Sequence, residues 1–90
     1  MTKTIRRTAQ FKRDVGLMVR RGRNVAKLKS ILASLVEGEE LTAEHRDHVL
    51  VGQYTGSREC HIASDWLLIY ESTGNEIVLI RTGSHSDLFR

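Results

Sequence analysis

Cysteine occurs once in the 90 residues, at Cys60, and proline does not occur. A single thiol excludes an internal disulfide framework and fits a reducing compartment. Without proline, reversals rest on glycine, asparagine, aspartate and serine. No apolar run approaches the roughly 18 residues of a membrane-spanning helix. The opening Met1-Thr2-Lys3-Thr4 lacks the apolar segment of a secretory signal. The expectation is a cytoplasmic chain with no membrane partner. There is no internal repeat, linker or low-complexity tract. With 40% hydrophobic residues the chain is too apolar to be disordered. Its length suits one modest core, so residues 1–90 are expected to form a single domain.

Acidic residues are scarce at one end. Residues 1–29 carry ten basic side chains against one acid, Asp14, for a charge of +9. Residues 30–90 carry four basic and ten acidic, for −6. A basic half suits a polyanion or an acidic partner, or simply coats two exposed helix faces.

The stretch Arg58–Tyr70 organises the rest. Arg58, Cys60 and Ile62 alternate with Glu59, His61 and Ala63, the period of a half-buried strand. Ser64-Asp65 is turn chemistry, and Trp66 to Tyr70 is a short apolar run suited to a central strand. Before it, residues 2–7 suit an edge strand bearing Lys and Arg. Thr8 can cap a helix whose apolar residues Phe11, Val15, Met18 and Val19 recur at helical spacing. Gly22 follows its end, and Asn24 can cap a second helix. There Val25, Leu28, Ile31, Leu32, Leu35 and Val36 make one stripe, ended by Gly38. So short a connection predicts an antiparallel helix hairpin. Glu39–Asp47 reads as a polar connector with one helical turn at Thr42–His45. His48–Gly52 leads into the sheet, and Gln53–Thr55 reads as a further strand. Gly74-Asn75 reverses the chain into a last strand, Ile77–Thr82, and residues 83–90 hold a turn and one helical turn. The fold class is α+β: an N-terminal strand and a helix hairpin packed on one face of a mainly antiparallel sheet, with the other face open.

Three histidines, His48, His61 and His85, sit at strand ends or turns near Asp47, Asp65 and Asp87. His45, in a polar connector, reads as a solvated or capping residue. If the three meet on the open face, they suit RNA cleavage by the neighbouring 2′-hydroxyl. That reaction needs a base, an acid and a cation at the phosphorane, and no metal or cofactor. Imidazole serves both proton roles. Arg81 could hold phosphate oxygens through its planar fork, and Trp66 and Phe89 could stack bases. By type alone Trp66 and Tyr70 are more often core than base platforms, Tyr70 is assigned to the core, and Phe89 could simply cover its edge. Cys60, on the face opposite His61, reads as a buried apolar residue. A zinc site from His48, His61, His85 and Cys60 lacks close-paired ligand spacing.

Three blocks, in order, carry a resemblance. Asp47-His48-Val-Leu-Val-Gly, Arg58-Glu-Cys-His61-Ile-Ala-Ser-Asp65-Trp66-Leu-Leu-Ile-Tyr70 and Arg81-Thr-Gly-Ser-His85-Ser-Asp-Leu-Phe89 resemble the YafQ branch of the RelE-type toxins. These are the toxin halves of bacterial type II toxin–antitoxin modules. The basic N-terminal helices match as well; the short, proline-free connector before Asp47 departs from the family pattern. The resemblance implies a microbial-ribonuclease-like fold and a metal-independent endoribonuclease that cuts messenger RNA in the ribosomal decoding site. It implies active-site positions at His48, His61, Asp65 and His85, aromatic positions at Trp66 and Phe89, and a basic position at Arg81. The partners it implies are a cognate antitoxin, the ribosome and its message, with DNA reached only through the antitoxin. Within the same resemblance stands an inactive homologue that keeps the fold and serves as an antitoxin-binding module in operon repression.

Overall fold

Two side-chain caps start the long helices. The Thr8 hydroxyl accepts from the Phe11 N–H and opens α1 (Ala9–Arg20). The Asn24 amide oxygen accepts from the Ala26 N–H and opens α2 (Val25–Val36). Each cap serves a first-turn amide that has no partner within the helix. The computed structural model describes residues 2–89; Met1 and Arg90, the ends of the expected 1–90 domain, lie outside them.

The described strands are β1 (Thr4–Arg7), β2 (His48–Val49), β3 (Arg58–Ala63), β4 (Trp66–Ser72) and β5 (Glu76–Gly83). They form one sheet in the order β1-β5-β4-β3-β2. The pairs from β2 to β5 are antiparallel, while β1 runs parallel to β5 at the edge. The α+β class and the mainly antiparallel sheet are as the sequence predicts. Phe11, Met18, Leu28, Ile31 and Leu35 of the helices pack into one cluster with Cys60, Ile62, Leu68, Tyr70, Ile77 and Leu79 of the sheet. The central strand β4 is buried on both faces from Trp66 to Tyr70. Each such side chain contributes at most about 1.5–3 kcal/mol through removal from water.

The second face is less open than the sequence suggests. Leu67, Ile69 and Leu88 form a second buried cluster, joined by Leu50, Tyr54 and Ile80. It is covered by the short helix α3 (His85–Leu88) and by the chain around Tyr54. The strand expected over Gln53–Thr55 is replaced by a 3₁₀ turn at Gly52–Tyr54. Gly52 enters it at φ 78°, and the Thr55 hydroxyl and N–H both donate to its carbonyl. The turn carries Tyr54 onto the sheet, where its hydroxyl donates to the Leu88 carbonyl at 3.3 Å.

One carboxylate is buried under α1. Asp14, 5% exposed, accepts from Arg81 Nε at 2.9 Å, a second Arg81 nitrogen at 3.0 Å, the Thr82 N–H at 3.2 Å and Gln10 Nε2 at 2.9 Å. This network fixes α1 to the end of β5 that leads to α3. Removing one partner of such a pair leaves the other uncompensated. Asp14→Ala is expected to destabilise the fold by about 2–3 kcal/mol, below the fully buried case because Arg81 is partly solvated. Urea unfolding measures this; a midpoint unchanged from wild type would show that the network does not hold the helix.

Candidate active site

Strand β3 sorts its side chains by parity. Cys60 and Ile62 enter the helix-side core, so Glu59 and His61 share the other face. Their β4 partners, Ile69 and Leu67, lie in the second cluster. Strand β2 pairs His48 directly with Glu59. The Glu59 carboxylate thus lies between two imidazoles, 3.5 Å from His48 Nε2 and 3.7 Å from His61 Nε2. Glu59 is only 4% exposed. The sequence does not single it out as a site residue. Its parity with His61 is readable, but its pairing with His48 depends on register across the connector.

His48 is placed by its neighbour. Asp47 accepts from Arg58 Nε at 3.1 Å and from the Tyr70 hydroxyl at 2.7 Å, which pins the connector to the sheet. His48 Nδ1 meets the Arg46 carbonyl.

The β3–β4 turn places Asp65. Its φ is 48°, a left-handed conformation that Asp tolerates better than most residues. Asp65 Oδ1 accepts the His85 N–H at 3.1 Å and lies 3.5 Å from His85 Nδ1. The backbone N–H is the main reason that the Asp65 carboxyl is held below the usual carboxylate range. His85 opens α3, whose Ser84 and Asp87 cap each other's backbone. Arg21 clamps Asp87 at 2.7 and 3.2 Å, tying the end of α1 to α3. That ion pair, with the Ser84 N–H, holds the Asp87 carboxyl far below its ordinary value.

The His61 and His85 rings lie 6.0 Å apart, centre to centre. Phe89 lies 5.9 Å beyond His85, packs edge-on to Tyr54 and is 41% exposed. The structure therefore gathers His48, His61, Asp65, His85 and Phe89 in one region, on the two carboxylates of Glu59 and Asp65.

Trp66 and Arg81 are placed differently from the expectation. Trp66 is 1% exposed, with its indole N–H donating to Thr82 Oγ1 at 2.9 Å. Its ring belongs to the core and offers no open face to a base. The side-on fork of Arg81 is occupied by Asp14. His45 is not simply solvated: its Nδ1 lies 2.7 Å from the His61 carbonyl, docking the connector on β3. Cys60 is fully buried on the helix side, and burial pushes its thiol up to about 12.

A groove of about 760 Å³ has Lys27, Ser30, Arg46, His61, Asp65 and His85 among its walls. Within it the His61 imidazole titrates below its ordinary value. Burial is the main cause; Glu59 opposes the shift, while Arg46, His85 and His48 add to it. His61 is therefore neutral at pH 7 and able to accept a proton.

Residues 3–90 match the family model of the bacterial toxin of the type II toxin–antitoxin system, YafQ. The chain belongs to the YafQ toxin family. The mRNA interferase toxin YafQ of Escherichia coli strain K12 is 36% identical over 83 residues, 91% of this chain and 90% of that protein. The crystal structure of the E. coli DinJ–YafQ toxin–antitoxin complex superposes with a TM-score of 0.92 at 34% identity, covering 100% of both chains. A metal-bound toxin from Helicobacter pylori superposes at 0.89 with 34% identity, covering 99% of this chain and 100% of that one.

Burial of His61 makes its contribution to stability depend on pH. The unfolded imidazole, near 6.5, binds more protons than the folded one. This residue's share of stability is therefore complete above about pH 6.5 and falls as the solution is acidified. Imidazole NMR of this YafQ-family chain is expected to show His61 titrating below 6.5, and lower still in Glu59→Gln, where the opposing carboxylate is gone. A His61 midpoint at or above the unfolded value would refute the assigned burial.

Proposed function

We propose that this chain is an endoribonuclease, an mRNA interferase that cuts messages in the ribosomal decoding site, and the toxin of a module with a cognate antitoxin. One observation carries this reading: His61 and His85, each beside its own carboxylate, line the same groove with ring centres 6.0 Å apart. The names of the E. coli relatives support the same activity.

In the proposed reaction His61, held neutral by burial, takes the proton of a 2′-hydroxyl. The 2′-oxygen attacks the adjacent phosphorus and the bond to the 5′-oxygen breaks. His85 gives its proton to that leaving oxygen, so a 2′,3′-cyclic phosphate and a free 5′-hydroxyl result. Asp65 lies at His85 Nδ1, which leaves Nε2 for the transfer. Glu59 and His48 orient His61. Phe89 offers a ring on which one base stacks, worth about 1–3 kcal/mol.

Dependence on the ribosome follows from how few cations serve the site. Arg58 and Arg81 are both held in ion pairs. Among the described residues only Arg46 and Lys27 remain at the groove, while the exposed Lys12, Arg13, Arg20 and Lys29 lie elsewhere on the helices, where they suit ribosomal RNA. The DinJ–YafQ complex supports an antitoxin as the second partner, and in this reading DNA is reached only through that antitoxin.

His61→Ala and His85→Ala are each expected to slow cleavage of ribosome-bound message by about 10²–10⁴-fold, while the folded protein still captures its antitoxin. A well-folded His85→Ala protein that still arrests growth would remove the proton-transfer assignment. Equal cleavage with and without ribosomes would remove the ribosome from the reading. Phe89→Ala is expected to weaken message binding by about 5- to 150-fold, the equivalent of one stacked base. Unchanged binding would leave that ring as cover for the core edge.

A further inference from the structure

A phosphorane needs a cation, and the expected one is occupied. Outside residues 1–29 the chain has four Lys or Arg: Arg46, Arg58, Arg81 and Arg90. Arg90 lies outside the described residues. Arg58 donates to Asp47, and Arg81 is forked on Asp14. Among the described residues, the Arg46 guanidinium meets no carboxylate, and Arg46 is an exposed residue that lines the same groove as His61, Asp65 and His85.

The backbone of Arg46 is fixed although its head is free. Its φ is 47°, left-handed and uncommon for a residue other than glycine. Its N–H donates to the Ala43 carbonyl at 3.1 Å, and its own carbonyl meets His48 Nδ1. The next residue, Asp47, is pinned by Arg58 and Tyr70. Backbone held in a sparsely populated region by this many contacts is the pattern of a side chain aimed at a task.

We propose that Arg46 is the cation that holds the scissile phosphate and steadies the phosphorane, the part the sequence assigns to Arg81. The inference rests on the endoribonuclease reading above. Guanidinium suits the work because its planar fork matches phosphate oxygens two at a time. The same charge already acts on the neighbouring base, since it opposes protonation of His61.

Cleavage of ribosome-bound message over a range of concentrations and pH tests this in the full chain. Arg46→Gln is expected to lower kcat by about 10²–10³-fold, the loss typical of a transition-state charge donor, with a smaller change in KM. Arg46→Lys recovers part of the rate. The acid limb of the Arg46→Gln profile moves to higher pH, which a merely structural residue would not cause. Lys27→Gln removes one charge from the part of the groove lined by α2 and is expected to raise KM instead. Antitoxin capture checks that each variant is folded, and Arg46→Lys carries the test should Arg46→Gln fail that check. A folded Arg46→Gln with kcat within about threefold of wild type overturns the assignment. So does a Lys27→Gln that loses as much kcat, or an Arg46→Lys that is folded and no faster than background. A wild type that never cleaves overturns the endoribonuclease reading itself, and this inference with it.

Discussion

The site depends on a parity constraint set by β4. That strand is buried on both sides, so neither face can slip toward water without exposing large apolar side chains. Its neighbour β3 must therefore send Cys60 and Ile62 under the helices and Glu59 and His61 the other way. A shift of one residue would put an acid and an imidazole into the core and a thiol in the groove. The chemistry-bearing face is thus specified by the same apolar burial that holds the sheet together.

The charged residues act mainly as pins. Asp47 fixes the connector that delivers His48, and Asp14 fixes α1 to β5. Arg21 and Asp87 fix α3, which delivers His85. Arg23 reaches the Asp65 carbonyl at 3.3 Å and lies 5.7 Å over the Trp66 ring. Part of the N-terminal positive charge is therefore spent inside the molecule. The surface left for a polyanion is the exposed lysines and arginines of α1 and α2, a smaller patch than the raw +9 suggests.

Much of this was legible in the sequence. Local chemistry gave both helix caps, the two-residue β3–β4 turn, the buried central strand and the edge position of β1. Spacing along β3 gave His61 and Cys60 their opposite faces. The rest depended on contacts between distant segments. Glu59 acquires its place between two imidazoles from the β2–β3 register, and Arg81 loses its free fork to Asp14 across 67 residues of chain. Trp66 begins an apolar run, and the same feature that marks it as a flat ring near the site marks it as core; burial decides for core. Tyr54 reads as strand by type, yet Gly52 turns the chain and the second cluster holds the ring.

The electrostatics of the groove explain why a neutral base and several cations can share it. His61 is partly desolvated, which alone disfavours its charge, and Arg46, His48 and His85 add repulsion. Glu59, itself buried, answers only part of this. Together these effects keep the imidazole unprotonated at neutral pH. A phosphodiester entering the groove would bring a negative charge beside the same imidazole. That charge would make protonation of His61 easier, and in the proposed reaction the effect grows as the phosphorane gains charge. The arrangement thus favours the proposed transition state over the empty site through one sign of charge, without any group moving far.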